Sequence, residues 1–142
     1  MTVRVVIDTN VLIAALTRPA GSSARLLQAW RDGAMEVVAS DATLREAELV
    51  LSGAWLERLS SRDHVARLLH ELRERSVRVP GGALRDLTLR DEGDRRLVEA
   101  AVAGEAGYLV TADREVLLQR GYRGTQFVTP GELLDVVRSL PS

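Results

Sequence analysis

The sequence predicts an α/β fold, a three-layer α/β/α arrangement around a central parallel sheet of about five short strands. Three observations carry this. Apolar, β-branched runs of strand length alternate with segments of helical period, as they do where helices connect parallel strands. Capping and turn residues stand at most of the junctions between them. No repeat, low-complexity stretch or long linker interrupts the 142 residues, a length that suits one domain over 1–142.

The first strand is expected over Arg4 to Ile7, and a helix begins in Val11 to Leu16. Pro19-Ala20-Gly21 breaks that helix, and Ser22 can cap a second one carrying Leu26, Leu27 and Trp30. Asp32-Gly33 turns the chain into MEVVAS, the second strand, after which Ser40 caps a helix with Leu44, Ala47 and Leu51 on its apolar face. Ser60 and Ser61 precede a helix in which Val65, Leu68, Leu69 and Leu72 recur at helical spacing. Val77 to Val79 is a short strand ended by Pro80-Gly81-Gly82, and a polar loop, Arg85 to Gly93, leads to a helix over Asp94 to Ala106. Tyr108 to Thr111 is the next strand, followed by a short helix around Val116 to Leu118 and a last strand at Gln126 to Val128. Thr129, Pro130 and Glu132 then spell a helix start, with a cap, a proline at the first helical position and the reciprocal partner of a capping box.

Composition narrows the function. A hydrophobic content of 46% supplies a core, while a net charge of −1 offers no global attraction to nucleic acid or membrane, so any such binding must come from a local patch. All 19 basic residues are Arg. With no cysteine, disulfides and thiolate metal sites are excluded. The N-terminal apolar run meets Asp8 too soon for a signal peptide, and no run approaches the ~20 apolar residues of a membrane span. The expected protein is soluble and cytoplasmic.

In open parallel sheets, ligands bind beyond the carboxyl ends of the strands, near the point where strand order reverses. Asp8 ends the first strand, followed at once by Thr9 and by Asn10, the only asparagine of the chain. Asp113 stands two residues past Thr111, Glu46 lies within the helix after MEVVAS, and Asp94 is expected to open the helix that feeds Tyr108 to Thr111. Singly, each has a local explanation: Asp is a favoured helix cap, and a helical Glu usually faces solvent. Together at one sheet edge they would repel one another unless a cation neutralised them. Carboxylates without Cys suit a hard, oxygen-seeking ion, Mg²⁺ or Mn²⁺. His64 and His70, six apart on one helix, are wrongly spaced for a shared metal face.

VVIDTNVLIAAL, SDATLREAELVL and LRDEGDRRLVEAAVAGEAGYLVTADRE resemble the three acidic blocks of PIN-domain nucleases. The branch they are most similar to holds toxin components of toxin–antitoxin systems (VapC-like). The likeness runs in order over nearly the whole chain and ends in FVTPGELL. Carried over position by position, it implies metal-binding and catalytic roles for Asp8, Glu46, Asp94 and Asp113. Asn10 and Thr111 are implied as supporting polar groups, and Asp91 as an outer member. Glu48 rivals Glu46 but fits the family spacing less well. Ala112 stands where relatives often carry Gly, and Glu92-Gly93 where they carry a Pro-containing turn; both alter loop shape and leave the acids in place.

The resemblance implies an Mg²⁺- or Mn²⁺-dependent endoribonuclease that leaves a 5′-phosphate, with RNA as substrate, a small antitoxin as partner and a homodimeric state. One ion, or two spaced by about 3.5–4 Å, would polarise the phosphoryl oxygen and lower the pKa of attacking water. Arg18, Arg90, Arg95, Arg96 and Arg114 lie near the acid-bearing loops and are candidates for flanking phosphates. A receiver-type phosphoacceptor would need adjacent acids and a Lys, and a dehalogenase-like phosphatase a second acid where Asn10 stands. The alternative from another class is a non-catalytic PIN-fold module that binds RNA or protein.

Overall fold

The computed structural model describes residues 2–140. In chain order the elements are β1 (Val3–Ile7), α1 (Thr9–Thr17), α2 (Ser22–Arg31), β2 (Met35–Ser40), α3 (Asp41–Leu51), a 3₁₀ turn (Ala54–Arg58) and α4 (Arg62–Arg75). Then follow β3 (Val77–Val79), α5 (Glu92–Ala103), β4 (Tyr108–Val110), α6 (Arg114–Leu118), β5 (Gly121–Tyr122), β6 (Thr125–Val128) and α7 (Pro130–Arg138). The strands form one sheet in the order β3-β2-β1-β4-β6-β5, parallel throughout except for β5, which runs antiparallel to β6. The sequence leads to about five strands; the sixth is the two-residue β5, too short to leave an apolar pattern.

Alternation along β1 shows why the sheet is covered on both sides. Val5 and Ile7 point into a core with Val37, Val110 and Val128, closed by Leu12, Leu26, Trp30, Leu44, Leu68 and Leu133 from α1, α2, α3, α4 and α7. Val6 points the other way, with Val38, Leu109 and Phe127, onto Leu97, Val98, Ala100 and Ala101 of α5. Two opposite faces, each packed by helices, make the three layers.

Local chemistry sets several boundaries. Ser40 closes a capping box with Thr43, and Thr129 closes another with Glu132 beside Pro130. Gly33, at φ +83°, supplies the left-handed turn into β2. Ser22 proves to be the first residue of α2 with Gly21 as its cap, and no side chain caps that end. The helix expected from Asp94 begins earlier, at Glu92, because Asp91 takes the cap position and accepts a hydrogen bond from the Asp94 amide at 2.9 Å. Among the described residues no helix is long and apolar enough to cross a membrane.

Candidate metal centre

β1 lies between β2 on one side and β4 on the other, so the chain reverses its direction of strand addition at the β1–β4 seam. Crevices form at such seams because the connections leave them in opposite directions. The seam is tight here: the Asp8 amide donates to the Val110 carbonyl at 3.0 Å, prolonging the β1–β4 ladder to the first acid. Asp8 then caps α1 and Asp113 caps α6, which turns both side chains over the carboxyl edge of the sheet.

Thr111 ties the two acids together. Fully buried, it donates through Oγ1 to Asp8 Oδ2 at 2.8 Å and accepts from the Asp113 amide at 3.0 Å. Asn10 helps Asp8 through its backbone, whose amide lies 3.3 Å from Asp8 Oδ1, while its side chain lines the cleft. From the other elements come Glu46 on α3 and Asp91 and Asp94 at the start of α5. Asp8, Glu46, Asp91, Asp94 and Asp113 thus line one cleft of about 210 Å³, with Thr9, Asn10, Val50, Gly93 and Leu97, and no basic residue among them.

The electrostatics follow from this grouping. Burial, then the neighbouring Asp91, Asp113 and Asp8, push the Asp94 carboxyl up to about 7. Burial also raises Asp8, with Asp113 and Asp91 adding to it, although the hydrogen bonds from Thr111 and Asn10 oppose the rise. Glu46, exposed along its outer edge, is raised by desolvation on the cleft side and by Asp8 and Asp91.

This donor set fits a hard divalent cation: all oxygen, largely anionic, drawn from four separate elements. Gly93 adds to the fit, since a Cβ there would lie 2.9 Å from Glu46 Oε1 and 3.1 Å from Asp91 Oδ1, filling the space between them. As they stand, no three His, Asp or Glu side chains among the described residues are gathered closely enough to ligate one ion. Ligation therefore requires the carboxylates to draw inward.

Other candidates fall outside the cleft. Glu48, the rival of Glu46, faces α4 and pairs with Arg73 at 2.8 Å. Arg95 turns inward, donating to the carbonyls of Leu87 at 2.8 Å, Leu89 at 3.1 Å and Leu84 at 3.0 Å, and so holds the loop before α5. Arg96 is taken by Glu92 and by the buried Glu99. Of the arginines near the acid-bearing loops, Arg18, Arg90 and Arg114 remain exposed. Sequence reading missed the Arg95 clasp, and it named Thr111 as a supporting group without the bridge that it makes from Asp8 to the Asp113 amide. A lone hydroxyl or a lone arginine carries no sign of a partner that is distant in the chain or is a backbone carbonyl.

A family model described as a PIN domain matches residues 4–115, the span from β1 to the start of α6 that holds every acid of the cleft. No curated protein and no solved structure matches the chain.

Proposed function

The chain belongs to the PIN-domain family, whose members are generally nucleases, and on that premise we propose that it is a metal-dependent endoribonuclease. The observation that carries the reading is the convergence of five carboxylates on one cleft with no cation among the described residues that line it. A protein stabilises such a group poorly on its own, and a bound divalent ion reverses the balance. Asp8, Glu46, Asp94 and Asp113 would hold Mg²⁺ or Mn²⁺, and Asn10, Thr111 and Asp91 would support them. When bound, the ion supplies Lewis acidity to the phosphodiester and lowers the pKa of the attacking water.

The chain's own groups do the rest. The Thr111 hydroxyl fixes Asp8 in orientation and, through the Asp113 amide, sets the spacing of the two strand-end acids. Exposed Arg90 and Arg114 flank the cleft in sequence and suit phosphates either side of the cut. RNA as the substrate, a toxin role with a small antitoxin, and a homodimer belong to the same proposal and rest on the resemblance of the three acidic blocks to VapC-like toxins.

The test is cleavage of a panel of single-stranded and structured RNAs with Mn²⁺ or Mg²⁺, repeated with EDTA and with Asp113→Asn. Cleavage lost in both controls supports the proposal. Activity that survives Asp113→Asn refutes the site assignment. Metal binding with no cleavage of any RNA refutes the enzyme and leaves the non-catalytic binding module.

A further inference from the structure

Gly93 is the second residue of α5, inside a helix. Its φ is not among the positive values, which in this chain's glycines occur at Gly33 and Gly124. The backbone therefore admits alanine at this position, and helix propensity favours it. Where neither turn geometry nor propensity asks for a glycine, what the residue changes is the space that a side chain would fill.

That space is occupied by carboxylate oxygen. A Cβ would stand 2.9 Å from Glu46 Oε1, 3.1 Å from Asp91 Oδ1 and 3.3 Å from Glu46 Oε2. The contrast within the same connection is Gly104, where a Cβ would strike Val38 Cγ1 at 2.5 Å and Val79 Cγ1 at 3.2 Å. Gly104 serves the packing of α5 against β2 and β3; what lies against Gly93 is the acid cleft. Glu46 reaches the cleft from the exposed side of α3, and its carboxyl makes no hydrogen bond among the described residues. Its placement therefore depends on where it is allowed to rest.

We propose that Gly93 is a positioning residue for the divalent cation: the missing Cβ seats the Glu46 carboxylate against the first turn of α5, beside Asp91. The proposal rests on the reading of the cleft given above. A methyl group at 2.9 Å from an oxygen is inside normal contact and must move it by roughly 0.5 Å. Asp91 Oδ1, at 3.1 Å, is held by its hydrogen bond from the Asp94 amide, so the displacement falls on the end of the flexible Glu46 side chain and leaves the fold intact. It moves Glu46 away from the seat beside Asp91 from which the carboxylate would draw inward onto the ion, and comparable changes around metal ligands cost about 10–100-fold in affinity.

The experiment compares the wild type, Gly93→Ala, Glu46→Ala and the double variant by two measurements made without RNA. These are the Mn²⁺ dissociation constant by calorimetry and thermal unfolding in EDTA. Gly93→Ala is expected to unfold at the same temperature as the wild type or higher, and to bind Mn²⁺ about tenfold more weakly. The double variant is expected to bind no more weakly than Glu46→Ala, because the glycine acts through that carboxylate. Wild-type affinity in Gly93→Ala, alongside weakened binding in Glu46→Ala, overturns the proposal and leaves the cleft reading standing. So do losses that add in the double variant, or a lower unfolding temperature of Gly93→Ala in EDTA. Mn²⁺ binding by Glu46→Ala equal to the wild type, or none by the wild type, overturns the cleft reading itself.

Discussion

Replacing Asp94 by Asn should make the metal-free protein more stable at pH 8, at a site where an aspartate is ordinarily worth keeping. Asp94 is only 9% exposed, and its carboxyl makes no hydrogen bond among the described residues. Burial and the neighbouring Asp91, Asp113 and Asp8 carry it from the usual 3.8 to about 7. At about 1.4 kcal/mol per unit that rise has a ceiling near 4 kcal/mol. The cleft is open to water, which screens much of this, and the introduced amide has its own unmet hydrogen bonds, so the expected gain is about 1–2 kcal/mol. For a chain of this size that is roughly 3–8 °C in unfolding temperature. Because the folded value lies above the unfolded one, the contribution of Asp94 is favourable when protonated. It is full below about 3.8 and lost as pH rises through about 7. The advantage of the Asn variant should therefore be complete at pH 8 and shrink on acidification, to roughly half at pH 5.5. Thermal unfolding in EDTA at the two pH values reads this directly. Excess Mn²⁺ should reverse the order, since the wild type gains more from the ion. An Asn variant less stable than the wild type at pH 8 in EDTA, or a difference indifferent to pH, would refute the reasoning.

Thr111→Val removes a buried hydroxyl that serves Asp8 and the Asp113 amide, while keeping the shape of the side chain. It should cost about 2–3 kcal/mol in urea unfolding, and a loss under about 0.5 would contradict the bridge. At the far end of the molecule, burial pushes the Glu71 carboxyl up, but the Arg31 hydrogen bonds at 2.8–3.0 Å, with Arg67 and Arg75 beyond, hold it below its usual 4.5. Glu71→Gln should cost about 2–3 kcal/mol at neutral pH, somewhat under the usual cost of breaking a buried pair because Arg31 is 20% exposed. That stabilisation is present above 4.5 and lost as pH falls through the lower folded value, so acid unfolding curves of the wild type and variant should converge. Arg95→Met frees three carbonyls of the loop before α5. Trypsin should then cut after Arg85 and Arg90 several-fold faster than in the wild type, and unchanged cutting would mean the loop is held by other contacts.

What the sequence makes legible here is chemistry completed within a few residues. The strand Val3–Ile7 ending in Asp8, and Tyr108–Val110 leading to Asp113, are readable because β-branched runs and capping aspartates are local signals. Thr129, Pro130 and Glu132 fold as their spacing says, because a capping box closes on itself. The same locality misleads at α5. Asp94 looks like the helix start, and only the formed first turn shows that Asp91 caps while Asp94 is left buried without a side-chain partner among the described residues. The antiparallel β5 was invisible for want of length, and Ser22 yielded the cap to Gly21 because the turn, not the side chain, sets that end.

The sequence by itself determined that this is a layered α/β protein with acids at the strand ends, since periodicity and capping act over one turn of chain. Tertiary structure decided which acids share a cleft. Glu46 faces it and Glu48 is drawn to Arg73, two residues away on the same helix, because packing of α3 against α4 chooses the face. It also decided that Thr111 reaches Asp8 across 103 residues and that Arg95 is spent on the Leu84, Leu87 and Leu89 carbonyls rather than on solvent. Such partners are fixed by burial, which leaves a polar group no water to turn to, and burial is a property of the assembled layers.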